Sequence, residues 1–251
     1  RSGTRTWSVP QFREMTRVEG IEGDTDVVDH DAHHENAHEQ IQQDPSLHQQ
    51  GHFPVREDKR AGCVWITCQG TLGHSYDIRT LIEAVAMLQK EGIRNVQCHI
   101  VGDGPLLEAF KAHSRMIGAH DVFFHGRLPY VELMSILGSS DIAVNAITLG
   151  SKTSLPNKVF DYFASGLPIV NSVPGELQDL LDQYDAGLLY TPGNPSDLAR
   201  ALRVLVESPD TRRKMGANSY RLGCDIGNRQ REYARLFDMI EAVARPSLYE
   251  L

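Results

Sequence analysis

The chain has 251 residues, 41% of them apolar, and carries a net charge of −8. That is enough chain for one or two domains with a real core, and the acidic balance argues against a general nucleic-acid binder, which needs a basic face. No apolar run is long enough to span a bilayer and no secretory leader is evident, so the cytoplasm is the expected compartment.

Residues 1–60 are rich in His, Gln, Asp and Glu with little apolar periodicity. Such a stretch cannot bury enough surface to offset its ordering entropy, which predicts a loosely structured segment. His30, His34 and His38 would share one face of a helix and suit a metal, but histidine-rich composition equally marks solvated linkers, and no metal site is assigned. The chain opens on Arg1, not Met, which fits a piece of a longer protein.

From Gly62 the pattern changes to alternation. Cys63–Cys68 reads as a strand, Gly70–Gly73 as a turn, and Ile78–Glu91 as an amphipathic helix with Leu81, Ile82, Val85 and Leu88 on its apolar face. Val96–Val101 is the next strand, closed by Gly102-Asp103-Gly104-Pro105, and Leu106–Ile117 is helical. Val122–Phe124, a helix at Tyr130–Leu137 and a strand at Asp141–Ala146 follow. Then comes TSLPNKVFDYFASGLPIVNSVPGE, Thr153 to Glu176: a polar cap at Thr153 and Ser154, Pro156 in the first turn, an apolar face of Val159, Phe160, Phe163 and Ala164, a stop at Gly166 and a strand at Leu167–Val170. Asp161 falls on the exposed side of that helix. A helix near Gly175–Gln183, a strand at Gly187–Tyr190, helices at Pro195–Glu207 and Thr211–Gly223 and an amphipathic helix at Gln230–Val243 complete the chain. Strands alternating with helices of this length predict an α/β fold with a doubly wound parallel sheet covered on both faces. Cys63, Cys68 and Cys98 fall in strands and none of the four cysteines forms a C-x-x-C pair, so buried free thiols are expected.

A doubly wound sheet binds ligands beyond the carboxyl ends of its strands. The glycine turns Gly70–Gly73, Gly102–Gly104 and Gly126 and the loop 147–154 all belong to those ends, which points to a nucleotide-type ligand. The open N-terminus of the helix capped at Thr153 and Ser154, with Lys158 one turn in, would present unpaired N–H groups to a phosphate.

The string Asp161-Tyr162-Phe163-Ala164-Ser165-Gly166-Leu167-Pro168 resembles the signature of retaining glycosyltransferases of the GT-B fold, in the large family four. The order G-x-L-G, G-D-G-P, F-x-G-x-L and acidic helix, over residues 62–225, resembles the same family. The variant with Pro156-Asn157-Lys158 resembles bacterial transferases that add amino sugars to O-antigen or capsule chains. The family pattern has two glutamates; here Asp161 matches the second, and Thr153 stands in place of the first. The resemblance implies a Rossmann-like donor-binding half (61–225), with residues 226–251 bracing an acceptor domain not contained in this chain. It also implies transfer of a hexose or N-acetylhexosamine from a nucleotide sugar, UDP-linked, to a polysaccharide or lipid-linked glycan, without a metal or other cofactor. Such an enzyme would work in the cytoplasm or at the inner face of the cell membrane.

By the same resemblance Asp161 accepts the ribose hydroxyls, while Gly126, Arg127 and Leu128 read the base. The Arg and Lys that family members place after the first strand are absent, their positions being Thr71 and Tyr76. Lys158, the N–H groups of Ser154 to Asn157 and the backbone of Gly70 to Gly73 are the substitutes for holding the diphosphate. Lys158 and Thr153 are the catalytic candidates; Ser151, Lys152, His74 and Glu176 are weaker candidates for the donor sugar. The plainer alternatives are a solvated helix carboxylate for Asp161, an exposed loop cation for Arg127 and a solvated loop histidine for His74. A sugar-nucleotide epimerase and a non-catalytic docking module are the other functions compatible with the sequence.

Overall fold

The computed structural model describes residues 56, 58–150, 155–227, 237, 239 and 240, all within the unit Asp44–Leu251. The histidine-rich segment, most of the expected C-terminal helix, and Ser151, Lys152, Thr153 and Ser154 lie outside the described residues.

Six strands, β1 (Val64–Gln69), β2 (Val96–Val101), β3 (Val122–Gly126), β4 (Ile142–Asn145), β5 (Ile169–Asn171) and β6 (Gly187–Leu189), form one sheet in the order β3-β2-β1-β4-β5-β6. All five pairings are parallel. The helices between them are α1 (Ile78–Lys90), α2 (Leu107–Ile117), α3 (Tyr130–Ser139), α4 (Lys158–Ala164) and α5 (Glu176–Tyr184), followed by α6 (Pro195–Glu207) and α7 (Pro209–Ile226). The expected doubly wound α/β fold is therefore present. Its order reverses between β1 and β4, which opens a crevice at their carboxyl ends.

The strand period of two divides the core. Val64, Ile66 and Cys68 of β1 join α1 and α6 in one buried cluster, while Ala143 and Ile169 face the other way into a second with Val159, Tyr162, Phe163, Leu177 and Leu222. Cys63, Cys68 and Cys98 are buried free thiols, as expected.

Three local expectations need correction, the first being that α4 starts at Lys158 after Asn157, so Pro156 precedes the helix and is not in its first turn. The fifth strand runs Ile169–Asn171, not Leu167–Val170, because Pro168 has no N–H and gives the ladder only its carbonyl, which accepts from Ala143 N at 3.0 Å. On α4 the third buried position is Tyr162, not Ala164, which is exposed. Gly166 does end that helix, in the left-handed region at φ +62°.

Residues just upstream of β1 are tied to the domain. Arg56 N donates to Ser139 Oγ at 2.7 Å, and Lys59 Nζ reaches Asp141 Oδ2 at 2.6 Å.

Candidate functional site

The crevice begins with backbone packed against backbone. Gly102 sits at φ +137°, and a Cβ there would lie 1.9 Å from the Gly70 carbonyl oxygen; at Gly104 it would lie 2.6 Å from that of Leu72. The turns after β1 and β2 can touch only because both positions lack side chains. They are stitched by Gly70 N to Val101 O at 3.0 Å, Leu72 N to Asp103 O at 2.9 Å and Leu106 N to Leu72 O at 3.0 Å. Gly73 N donates to Thr71 O at 2.9 Å. The N–H groups of Gly70 and Gly73, expected to serve a diphosphate, are thus engaged within the protein, and what this turn offers a ligand is shape. Tyr76 completes it: its ring covers Gly70, where an added Cβ would meet the ring at 2.5 Å, and its hydroxyl is hydrogen-bonded by the Thr71 backbone.

Asp161 is not the solvated carboxylate that its helix position suggests. It is half-buried, its Oδ2 accepts from Gln69 Nε2 at 2.8 Å, and its Oδ1 accepts from Tyr130 Oη at 3.0 Å. Gln69 is the last residue of β1, beside the reversal point, and its own N–H donates to Tyr162 Oη at 2.9 Å. Burial, then the neighbouring Asp161 charge and hydrogen bond, push the Tyr130 hydroxyl well above its ordinary value, so it remains a donor at any working pH.

Lys158 opens α4 and sends its ammonium inward. Its Nζ is sealed from solvent, finds no hydrogen-bond partner among the described residues and stands 4.4 Å above the centroid of the Tyr76 ring. Burial lowers its pKa from 10.5. A buried ammonium without a hydrogen-bonding partner is costly; the ring face returns part of that cost.

The remaining candidates are more peripheral. Asn157 is exposed at the helix start and its side chain makes no capping bond. Gly126 lies at φ +69° with its carbonyl accepting from Gly102 N at 2.8 Å; Arg127 beyond it is exposed and Leu128 half-buried. His74 is exposed, on a turn pinned to the loop after β4 through Thr148 Oγ1 to His74 O at 3.2 Å. Glu176 is exposed at the start of α5. Among the described residues no group of three or more His, Cys, Asp or Glu could hold a metal ion, and no helix is long and apolar enough to cross a membrane.

Sequence reasoning missed the residues that hold Asp161. Gln69 carried one signal, a polar residue ending an otherwise apolar strand immediately before a glycine turn. The polar floor was missed as well. Asn145 and Asn171, the last residues of β4 and β5, are buried, with Asn145 Nδ2 donating to Asn171 Oδ1 at 2.8 Å and Asn171 Nδ2 to Gln178 Oε1 at 3.1 Å.

Comparison with known proteins agrees with this geometry. Residues 57–222 match the family described as glycosyl transferases group 1. A 2-deoxystreptamine glucosyltransferase of Streptomyces kanamyceticus is 27% identical over 141 residues, covering 56% of this chain and 35% of that protein. Among solved structures, Anabaena HepE in complex with UDP superposes with a TM-score of 0.63 at 16% identity, over 83% of this chain and 53% of that one. The C-terminal domain of the group 1 glycosyl transferase LpcC from Francisella tularensis gives 0.59 at 18%, over 69% of this chain and 95% of that domain. The chain thus spans about a third of the length of the curated relative and nearly the whole of an isolated C-terminal domain. With the motif order, the strand order and the family match in agreement, the chain belongs to the group 1 glycosyl transferases.

Proposed function

We propose that this chain is the donor-binding half of a retaining, family-four glycosyltransferase. It takes a hexose or N-acetylhexosamine from a nucleotide sugar, UDP-linked, and passes it to a growing polysaccharide or lipid-linked glycan. The observation that carries this reading is the Asp161 carboxylate, held at the strand-order reversal by Gln69 and Tyr130 within the family's motif. A carboxylate is a natural two-point acceptor for the ribose diol. Gly126, Arg127 and Leu128 flank it on the side of the base.

Lys158 supplies the positive charge. A nucleoside diphosphate leaving the anomeric carbon gains negative charge, and a fixed ammonium in a site sealed from water stabilises that charge more in the transition state than in the ground state. The acceptor hydroxyl attacks on the face from which the diphosphate departs and gives its proton to the departing phosphate oxygen, so the scheme closes without a metal or other cofactor. Thr153, with Ser151, Lys152 and Ser154, precedes α4 in the sequence and on this reading faces the sugar. Asn157, His74 and Glu176 stand at its margin. Residues 226–251 brace the acceptor domain, and the enzyme works in the cytoplasm, at or near the inner face of the membrane.

Calorimetric titration with UDP and GDP tests the reading. Replacing Asp161 by Ala should weaken binding of the nucleotide by about 1.5–3 kcal/mol, the worth of hydrogen bonds to a charged group. Unchanged affinity removes the ribose role, and no binding of either nucleotide by the wild type favours a docking module instead.

A further inference from the structure

We propose that Tyr76 is a positioning residue for the nucleotide's diphosphate, acting through Lys158: its ring covers the ammonium in the nucleotide-free protein and turns aside when a phosphate binds. The proposal rests on the reading of Lys158 given above. A phosphate oxygen bonds an ammonium at about 2.7–2.9 Å. The Lys158 Nζ is sealed from solvent, has no hydrogen-bond partner among the described residues, and lies 4.4 Å over the centroid of the Tyr76 ring. No phosphate can reach it in this arrangement, so a group that covers it has to move.

The ring is the group free to do so. Cys68, close enough for its thiol to act on the Lys158 charge, is fully buried in β1. Lys158 opens α4, whose Val159 and Tyr162 are fixed in the second core cluster. The backbone of the turn is tied down as well. Asp77 N donates to Ala146 O at 3.2 Å, Thr148 N donates to Ser75 O at 3.0 Å, and Tyr76 forms a single antiparallel bridge with Ile147. The side chain of Tyr76, by contrast, is half-exposed. Its ring rests on Gly70, in space that a Cβ would fill, and its hydroxyl is latched by the Thr71 backbone. Rotation about χ1 therefore gives up one hydrogen bond and one cation–π contact and leaves the backbone bonds of the turn intact. Both contacts are of a size that a charged phosphate contact can replace.

The test follows the ring through the lysine beneath it. Isotope-labelled lysine lets NMR observe the Lys158 ε-protons, assigned by their loss in Lys158→Met. Protons over the face of an aromatic ring resonate upfield, so in the free protein this signal should lie upfield of those of the exposed Lys90 and Lys214. Tyr76→Leu should move it to their position. Saturating UDP should do the same in the wild type, an effect that a ring with a purely structural role would not show. The wild-type comparison needs no substitution, so it decides the matter even if Tyr76→Leu fails to fold. A signal that is not upfield in the free protein, or that stays upfield in Tyr76→Leu or in the UDP complex while Lys158→Met binds UDP less well, overturns the role of Tyr76 alone. A wild type that does not bind UDP, or a Lys158→Met protein that binds it undiminished by calorimetry, overturns the reading of Lys158 on which the proposal rests.

Discussion

Replacing Lys158 by Met separates what the lysine does for the fold from what it does for a ligand. Its ammonium is sealed from solvent without a hydrogen-bond partner among the described residues, and it stands 4.4 Å over the Tyr76 ring. Burying an ammonium costs several kcal/mol, and a desolvated cation–π contact returns about 2 kcal/mol. An apolar residue of similar volume should therefore stabilise the nucleotide-free protein by about 1–3 kcal/mol, raising Tm by about 2–10 °C for a domain of this size. The pH dependence carries a sign. The folded-state pKa of Lys158 lies below its ordinary 10.5, so between those values the unfolded chain binds the proton more tightly. Wild-type stability should then rise with pH across that window, and the excess stability of Lys158→Met should shrink over the same range. On the proposed reading, in which Lys158 supplies positive charge to the diphosphate, the same variant should also bind UDP more weakly. Urea denaturation from pH 7 to 10.5, with and without UDP, reads all three effects. A Lys158→Met protein less stable than the wild type at pH 7, or one that binds UDP undiminished, refutes the argument.

Three further outcomes probe the frame of the site. Gly102→Ala places a Cβ 1.9 Å from the Gly70 carbonyl oxygen in a left-handed backbone, and the clash plus strain should cost about 3–5 kcal/mol by urea titration. Asp77 is buried and accepts from Thr80 Oγ1 at 2.6 Å, Gly193 N at 2.8 Å and Tyr190 Oη at 3.2 Å. Asp77→Ala strands all three donors and should cost about 2–4 kcal/mol, measured the same way. His99, packed against Trp65 at a 30° tilt with its Nδ1 3.0 Å from His125 Nε2, is brought down from 6.5 to about 3, first by burial and then by His125. It is neutral in the fold and takes up a proton on unfolding, so stability falls as pH drops from 6.5 towards 3. His99→Phe should flatten that part of the stability curve, read as the difference between the acid-unfolding profiles of the two proteins.

What was legible in the sequence is what local pattern controls. The strand Val96–Val101 and the helix Pro195–Glu207 stand where apolar period and capping place them, because the alternation of Val96, Cys98 and Ile100 and an Asn-Pro start are decided by neighbours along the chain. Glycine turns could be assigned to the carboxyl ends of strands because alternation fixes chain direction. The partners of Asp161 could not be read that way. Gln69 lies 92 positions from it and Tyr130 lies 31, and only the crossover from β1 to β4 brings them together. The same limit applies to Gly70 and Gly73, which look like ligand-binding glycines in sequence. The Gly70 N–H is engaged by Val101 O, a contact that exists only once the sheet has formed, and the Gly73 N–H is taken by Thr71 O as the turn closes on itself.

The departures from the family pattern fit together physically. The positions that would carry an Arg and a Lys after β1 hold Thr71 and Tyr76, and the tyrosine ring covers the turn and stands beneath the ammonium of Lys158. A cation from the helix after β4 thus sits over the residue that took the place of one after β1. On the proposed reading the two routes serve the same diphosphate, but they differ in environment. A lysine on an open turn is solvated when no ligand is bound, whereas Lys158 is desolvated against an aromatic face with its pKa already lowered. On the proposed reading, a phosphate brought against that ammonium would meet a charge that water screens little, so each contact would be stronger than on an open turn. The cost is carried by the empty protein. That asymmetry is why Lys158→Met should gain stability and lose nucleotide affinity at once, a pairing that a surface lysine on a solvated turn would not produce.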